Sequence, residues 1–525
     1  MTGATLFRGG RVFTGLGYAE ALLIDDGRVV VVGPEAEARR SAPTGTESVD
    51  LAGRLVVPGL VDAHLHLSEI ARVASGLDLG SVGSLEALAA AAADWRDRHP
   101  TGPIVGRGWT PDRWGGHGWP DLRLLDRVSP DREIVLYHAS GHALVANSAA
   151  LATAGIDPSS PIPEVPTIGR FADGRPNGLL FEEAMRPLHP IARRAQPIDG
   201  PLLRRTLGAV VALGITACGT MNAAEEEIGA LRSLATAREL PIVVRAYVPL
   251  GERDAAWAAP DSAPRGEFAV IGVKGFLDGA FGPRTAWLAE PYADAPSSSG
   301  VPLGDDSTLA AALAEATDRG LAIALHAIGD RAVERAARHL GVLDRPDRPP
   351  DRIEHGGLTP PGLFPALARA GVTVVVQPGF VWSDAWLPDR LGPLRSRWAY
   401  AFRSLRDRGI ALAASSDAPY DPVDPWRGLR AFTERRDPSG GSANPDPREA
   451  VPPEEALGLY SAAAARAIGD TERGELVPGR PADLVVLRCR DLRSATTAAG
   501  SPVAETWVGG RRVYAADAAQ PGATL

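Results

Sequence analysis

Apolar residues in the middle of the chain recur in short runs, and Ala-rich stretches with helical spacing separate them. Eight runs have the length and composition of buried strands. They cover residues 60–66, 214–219, 242–247, 269–277, 321–327, 351–355, 372–377 and 410–417. Alternating strands and helices favour a parallel sheet, and eight repeats predict an α/β fold, a closed (β/α)8 TIM barrel.

The two ends of the chain have a different pattern. Residues 4–57 and 474–514 alternate apolar and polar positions between Gly-bounded turns, which predicts half-buried strands of a small β-sandwich. We expect both ends to form one composite domain, residues 1–58 and 469–525. Between them we assign 59–68 to barrel strand 1 and 205–468 to the rest of the barrel. The intervening residues exceed what a crossover needs, so 69–204 are predicted to form a subdomain over the barrel mouth.

Charge and cysteine content narrow the class of protein. The chain of 525 residues has a net charge of −9 and no basic run, which argues against nucleic acid and anionic membranes as partners. No apolar run approaches the ~20 residues that cross a bilayer, and the N-terminus lacks a signal-peptide pattern. Only two cysteines are present, which fits a reducing compartment. We expect a cytoplasmic protein with a small-molecule substrate, and a homodimer is one possible assembly.

Lys274 is the only lysine, although the chain has 55 basic residues. It lies in the apolar run AVIGVKGFLDG, where a bare ammonium is costly. Unlike Arg, a buried lysine can lose its proton and become a base, a nucleophile or a site of covalent modification. The alternative is a residue retained by chance with a paired charge.

The ends of the predicted barrel strands carry six side chains of metal-ligand or base type: His64, His66, Lys274, His326, His355 and Asp417. His64 and His66 are two residues apart, and this spacing places both side chains on one face of a strand. The C-terminal strand ends form the active-site face of such barrels, so all six are predicted to converge on one rim.

Histidine nitrogen and carboxylate oxygen suit Zn²⁺, with Mn²⁺, Fe²⁺ or Co²⁺ as alternatives. An ammonium cannot ligate a cation, but a carbamate formed from CO₂ and the neutral Lys274 amine has two oxygens that can bridge two metals. Two metals would generate hydroxide from water and polarise a carbonyl, with Asp417 as general base and then acid. A single metal, and a helix N-cap role for Asp417, are the other interpretations.

Ordered motifs extend the pattern over nearly the whole chain. They include VVPGLVDAHLHL (56–67), VKGFLDGAFGPRTAWL (273–288), LHAIGDRAV (325–333), RIEHGG (352–357), SSDAP (415–419) and GELVPGRPADLVVL (474–487). This set resembles the amidohydrolase superfamily, and within it amidohydrolase family 3, the group of YtcJ-like proteins and N-substituted formamide deformylases. The resemblance implies a metal-dependent barrel hydrolase with the same six residues as ligands.

The sequence departs from the family pattern near the expected substrate side. The family usually has an Asp before the Gly-His of the insertion and a Trp shortly after it, where this chain has Ser140 and Val145. The segment 218–222, CGTMN, lacks the usual His-Asp pair. We expect both changes to lie near the substrate.

Large aromatic residues are candidates for substrate contact. Trp109 and Trp114 lie in the insertion, and Phe380 and Trp382 follow the seventh run. Apolar surface beside a metal site suits an aromatic or alkyl substituent. The alternative is that these residues pack the insertion against the barrel.

Three polar positions complete the predicted site. His142 is a candidate to donate to a substrate carbonyl or an oxyanion, or else to cap a turn. Arg284 is a candidate to bind a substrate carboxylate, or else to pair with Asp278 or Asp330. His326 is expected to act in catalysis as well as in ligation.

Arg352 and Glu354 flank His355. Side chains alternate between the two faces of a strand, and both residues have the opposite parity to the predicted ligand His355. We therefore expect them to face the surrounding helices.

The function predicted from these observations is hydrolysis of a non-peptide C–N bond by a metal-activated hydroxide, with Asp417 as proton shuttle. An N-substituted formamide, an N-acyl amine or a cyclic amide is the expected substrate class. A deaminase or carbamate hydrolase on the same scaffold, or a non-catalytic metabolite-binding regulatory protein, are the alternatives.

Overall fold

The N-terminal part of the chain forms strands of a β-sandwich. The computed structural model describes residues 3–115, 118–163, 165, 167–251, 266–343 and 348–516. The first elements are β1 (Thr5–Arg8), β2 (Arg11–Phe13), β3 (Tyr18–Ala19), β4 (Ala21–Asp25), β5 (Arg28–Gly33), α1 (Glu35–Ser41), β6 (Glu47–Asp50) and β7 (Leu55–Pro58). One sheet has the order β5-β4-β1-β6, and β7, β2 and β3 belong to a second sheet.

An inserted subdomain follows the first barrel strand. After β8 (Leu60–Leu65) and α2 (Leu67–Ser75) come β9 (Leu77–Asp78), α3 (Leu85–Arg98), β10 (Ile104–Trp109), a 3₁₀ turn (Pro111–Trp114), α4 (Leu122–Val128), β11 (Ile134–His138), β12 (Ala143–Ala146), α5 (Ser148–Thr153), β13 (Ile168–Arg170), β14 (Pro176–Phe181), a 3₁₀ segment (Glu182–Leu188) and α6 (His189–Ala195). Its mixed sheet has the order β13-β14-β12-β11-β10-β9. Ser84, Asp121 and Asn147 cap α3, α4 and α5 by accepting from backbone N–H groups.

The remaining barrel strands are β15 (Ile215–Thr220), β16 (Val243–Pro249), β17 (Phe268–Phe276), β18 (Ala322–Ala327), β19 (Arg352–His355), β20 (Thr373–Val376) and β21 (Ala411–Ala414). They form one sheet with β8 in the order β21-β20-β19-β18-β17-β16-β15-β8, and every pair is parallel. The segment after β21 closes the barrel, because the Asp417 N–H donates to the His64 carbonyl (2.8 Å) and the His66 N–H to the Ala418 carbonyl (2.9 Å). The predicted TIM barrel is confirmed, and each predicted run overlaps one of these strands.

Helices surround the barrel and close its lower end. They are α7 (Gly200–Val211), α8 (Glu225–Thr236), α9 (Asp306–Asp318), α10 (Asp330–Leu340), a 3₁₀ turn (Pro361–Leu363), α11 (Phe364–Ala370), α12 (Phe380–Ser383), α13 (Leu387–Leu391), α14 (Pro393–Ser396), α15 (Phe402–Arg406), α16 (Pro425–Glu434), a 3₁₀ turn (Pro447–Glu449), α17 (Pro453–Gly458), a π-helical turn (Leu459–Ala463) and α18 (Ala464–Ala467). Within the part of the chain that the structure describes, no helix combines the length and apolar character needed to span a bilayer.

The C-terminal strands complete the sandwich. β22 (Leu484–Leu487) pairs antiparallel with β7, and α19 (Leu492–Thr496), β23 (Val503–Val508) and β24 (Arg511–Ala515) follow it. The second sheet therefore has the order β24-β23-β22-β7-β2-β3. The composite sandwich from both ends and the insertion after barrel strand 1 are confirmed as fold class. The predicted ranges 1–58 and 469–525 extend to residues 1–2 and 517–525, which lie outside the described residues.

Small side chains fill much of the barrel interior. Val61, Ala63 and Ala217 from the strands pack against Ala464 and Ala465 of α18. Bulky branched residues usually fill TIM-barrel interiors. The small residues here leave room for long polar side chains that reach the upper rim from within the barrel.

Candidate functional site

A cavity of about 580 Å³ lies between the C-terminal rim of the barrel and the inserted subdomain. The six predicted side chains all line it: His64, His66, Lys274, His326, His355 and Asp417. His142 of the insertion also lines it. The structure thus brings together every residue that the sequence predicts as a metal ligand or as a catalytic group.

His64, His66 and Asp417 form the tightest group. The two Nε2 atoms are 3.3 Å apart, and Asp417 Oδ1 lies 3.1 Å from His64 Nε2 and 3.2 Å from His66 Nε2. Backbone conformation aims the carboxylate, since Asp417 has a positive φ of 60°. Non-glycine residues hold such conformations when the surrounding structure enforces them, often at functional sites.

The hydrogen bonds of both imidazoles determine which nitrogen is free. His64 Nδ1 lies 2.5 Å from Glu354 Oε2, and His66 Nδ1 lies 3.1 Å from the Met221 carbonyl oxygen. Both partners are acceptors, so each Nδ1 carries a proton and donates. When the rings are neutral, both Nε2 atoms are therefore unprotonated, and their lone pairs face the Asp417 carboxylate.

His355 adds a further nitrogen without a protein partner. Its Nδ1 donates to Gln377 Oε1 at 2.8 Å, and its buried Nε2 has no hydrogen-bond partner among the described residues. Burial lowers the pKa of His355 to about 3, so the ring is neutral and Nε2 is a lone pair. An atom of each of His64, His355 and Asp417 lies within 4.8 Å of the other two.

His326 lies on the other side of His355, with 4.5 Å between the ring centroids. Its Nε2 lies 3.0 Å from the Gly279 carbonyl oxygen and therefore donates to it, which leaves Nδ1 as a lone pair. Asp278 fixes the surrounding loops by accepting from the backbone N–H groups of Trp287, Ile328 and Gly329.

Lys274 is buried in β17 between these groups. Its Nζ makes no hydrogen bond within the described residues and lies 4.7 Å from the centroid of the Phe276 ring. Burial lowers the pKa of Lys274 to about 8, against the opposing effect of Glu354 and Asp417. About a tenth of the amine is therefore neutral at pH 7, and the neutral form is the one that reacts with CO₂.

Glu354 and Arg352 are the residues that sequence reasoning missed. The Arg352 guanidinium binds Glu354 through Nε–Oε1 at 2.5 Å and Nη2–Oε2 at 2.9 Å, and all of this lies inside the barrel. The prediction that both face the helices is wrong, because His355 has a φ of 73° and turns its side chain out of strand alternation. The position of His355 in the strand therefore does not indicate which way the side chains of Arg352 and Glu354 point.

His142 is held by the insertion and by the barrel together. Its Nδ1 lies 2.8 Å from Glu182 Oε2, and Glu182 Oε1 accepts from Thr285 Oγ1 at 2.6 Å. Burial lowers the pKa of His142, but the Glu182 carboxylate outweighs it and the net pKa is raised. The ring centroid lies 4.8 Å from that of His326, so His142 faces the same cavity.

None of the five residues predicted to bind substrate lines the cavity. Trp109 is fully buried in the core of the insertion, where its Nε1 donates to the Leu136 carbonyl. Trp114 packs on that same core. Both positions correspond to the alternative interpretation, packing of the insertion.

The other three candidates lie outside the cavity lining as well. Arg284 forms an ion pair with Asp294 at 2.6 Å, a partner that the sequence did not suggest. Phe380 stacks behind His355 with 6.4 Å between ring centroids, and Trp382 is buried beneath the Arg427 guanidinium. Phe380 therefore packs against the ring of His355 and does not line the cavity.

Of the positions that depart from the family pattern, some line the cavity and one does not. Ser140, Met221 and Asn222 line the cavity, as expected for substrate-side positions. Val145 is fully buried in β12 within the sheet of the insertion and does not line it.

The donor set fits a divalent cation. Three acceptors, His64 Nε2, His66 Nε2 and Asp417 Oδ1, lie within 3.3 Å of one another without a proton between them when the rings are neutral. The unpartnered His355 Nε2 points to the same need. Acceptors crowded in this way require a shared positive charge, and each ligand-type His donates its other nitrogen to an acceptor, as metal-binding histidines do.

Fold and donor set together define a (β/α)8 barrel with a histidine and carboxylate site at the active-site rim. The model of the amidohydrolase family matches residues 47–514. YtcJ of Bacillus subtilis is 32% identical over 92% of this chain and 94% of its own length. N-substituted formamide deformylase of Arthrobacter pascens is 27% identical over 89% and 90%.

A solved structure gives the same result. An uncharacterized metal-dependent hydrolase from Pyrococcus horikoshii superposes with a TM-score of 0.75 at 28% identity, over 92% of this chain and 97% of that protein. The chain belongs to the amidohydrolase family. Family membership and this neighbour support a hydrolase, and the neighbour supports dependence on a metal.

Glu354→Gln is expected to weaken divalent-metal binding about 10- to 100-fold, because the amide no longer fixes the His64 tautomer with a charged acceptor. Equilibrium titration of the metal-free chain with Zn²⁺ measures this. Glu227→Gln is the matched control, since Glu227 is a buried cavity carboxylate that accepts from the hydroxyls of Ser68 and Thr220. Equal metal affinity in wild type and Glu354→Gln would remove Glu354 from the site.

Proposed function

We propose that this chain is a divalent-metal-dependent hydrolase of a small non-peptide amide. The substrate classes are an N-substituted formamide, an N-acyl amine and a cyclic amide. The observation that carries the proposal is the convergence of unprotonated imidazole nitrogens and one carboxylate at the rim. The deformylase relative, which covers nearly the full chain, supports the choice of formamides.

The proposed ligands are His64, His66, His326, His355, Asp417 and Lys274 as its carbamate. Zn²⁺ is the proposed ion because nitrogen and carboxylate ligands suit it, and two ions are proposed if Lys274 is carbamylated. A divalent cation held there supplies Lewis acidity to the attacking water and to the amide carbonyl.

The side chains of the chain itself then move the proton and orient the substrate. Asp417 faces the two histidines and is proposed to take the proton of the attacking water and deliver it to the leaving nitrogen. His142, oriented by Glu182, is proposed to donate to the carbonyl oxygen as negative charge develops there.

Hydrolysis of a panel of substrates tests the proposal. The wild-type chain, reconstituted with Zn²⁺, Mn²⁺ or Co²⁺, is expected to release amine from N-benzylformamide or another panel amide. Chelator treatment is expected to lower that rate by at least about 100-fold, and added metal to restore it. Turnover of nucleobases or carbamates alone would instead establish the deaminase or carbamate hydrolase alternative. Ligand binding without turnover of any panel member would favour the regulatory protein.

A further inference from the structure

The cavity has two chemically different walls. On one side lie apolar residues of the barrel loops and of α9: Pro249, Leu250, Phe276, Leu277, Leu303 and Leu309. Phe276 ends β17 with 36% of its surface exposed, although the rest of that strand is buried. Its ring centroid lies 5.2 Å from that of His326, so exposed apolar surface adjoins the proposed metal ligands.

A second part of the lining, contributed by α2 and the inserted subdomain, carries arginines. Arg72 and Arg107 are neutralised within the protein by two carboxylates. Both bind Glu69, at 2.7 Å and 2.9 Å, and Arg72 also pairs with Glu226. Arg107 also donates to Gln196 Oε1 at 2.6 Å. Both guanidinium groups are therefore occupied by partners within the protein.

Arg186 and Arg193 are different. Both line the cavity, both are exposed, and neither forms an ion pair or a hydrogen bond within the described residues. They lie seven residues apart on the continuous helical segment formed by Glu182–Leu188 and α6, with His189 between them on the cavity side. Seven residues are about two helical turns, so both guanidinium groups extend from one face of the segment.

Acidic groups on the cavity offset only part of the charge of Arg186 and Arg193. Glu182 is bound to His142 and Thr285, and Asp305 caps α9 by accepting from Thr308 N–H at 2.8 Å. Glu183 is the exposed acid nearest in sequence, three residues before Arg186. Arg186, Arg193 and Glu183 together therefore carry one net positive charge.

We propose that the cavity binds amides that carry both a carboxylate and an apolar substituent. Arg186 and Arg193 bind the carboxylate at the mouth, and the wall around Phe276 receives the apolar group. Guanidinium groups suit carboxylates because their paired N–H donors match the two oxygens. This substrate class rests on the proposed hydrolase function and narrows it.

A matched pair of probes tests the subsite. N-formyl-phenylalanine, as each enantiomer, and N-formyl-2-phenylethylamine differ only in the carboxylate. Calorimetric titration of the metal-loaded wild type is expected to show that one enantiomer of the anionic probe binds about tenfold more tightly than the neutral probe. Arg193→Gln and Arg186→Gln are each expected to reduce that preference about three- to fivefold. Glu183→Gln is expected to increase it about twofold.

Arg194→Gln is the control variant. Arg194 is exposed on the same helix but pairs with Glu133 at 2.6 Å and does not line the cavity. An equal loss of preference in Arg194→Gln, equal binding of both probes to wild type, or no binding of either overturns the subsite. Arginine-dependent binding of the anionic probe without hydrolysis supports the subsite and refutes the hydrolase proposal. Hydrolysis of both probes without preference for the carboxylate supports the hydrolase proposal and refutes the subsite.

Discussion

Asp417→Asn is expected to lower kcat about 10³- to 10⁴-fold while the fold is retained. Asparagine keeps the size of the side chain but removes the charge that faces His64 and His66, and its amide cannot take a proton from water. Steady-state hydrolysis of a panel substrate measures the effect, and the thermal midpoint of unfolding checks the fold.

Asp421→Asn is the matched control in the same loop. Asp421 is buried, accepts from Ser383 Oγ at 2.9 Å, pairs with Arg427 and does not line the cavity. We expect this variant to lose about 1–3 kcal/mol of stability and to keep kcat within a few-fold. Comparable kcat losses in both variants would mean that loop integrity, and not the Asp417 carboxylate, explains the first result.

Lys274→Met is expected to lower kcat at least about 100-fold, because methionine fills the buried position but forms no carbamate. Lys274→Arg keeps a positive charge and is expected to show the same loss, although its larger side chain strains the packing. Activity measured at saturating bicarbonate checks both variants. Wild-type kcat in either of them would assign Lys274 a structural role.

The barrel was predictable because its physical signature is local. Eight apolar runs between helical stretches lie where the eight parallel strands form, and the ligand-type residues follow from strand ends meeting at one rim. The lone lysine was informative for a similar reason: in a chain whose other cationic positions are all Arg, position 274 is buried beside carboxylates.

The substrate wall was not predictable from residue type. Trp109 and Trp382 are large and apolar, and such residues are as suited to a subdomain core as to a pocket, which only tertiary packing decides. Arg186 and Arg193 gave no motif, because their significance lies in facing a cavity formed by a distant part of the chain.

Backbone conformation explains the other error. The strand-alternation argument for Arg352 and Glu354 assumes regular extended backbone, and the positive φ of His355 ends that regularity at the last residue of β19. No feature of the motif RIEHGG predicts the positive φ of His355. The cytoplasmic location, the absence of nucleic-acid and membrane partners and the homodimer remain predictions from sequence.

Metal content per chain, measured together with intact mass under non-denaturing conditions in bicarbonate, tests the central claim most directly. We expect two divalent ions per chain and a mass gain of about 44 Da that Lys274→Met abolishes. One ion without added mass would remove the carbamate and leave a mononuclear site formed by the histidines and Asp417. A chain that binds no divalent metal when purified without chelators and offered Zn²⁺, Mn²⁺ or Co²⁺ would contradict the account.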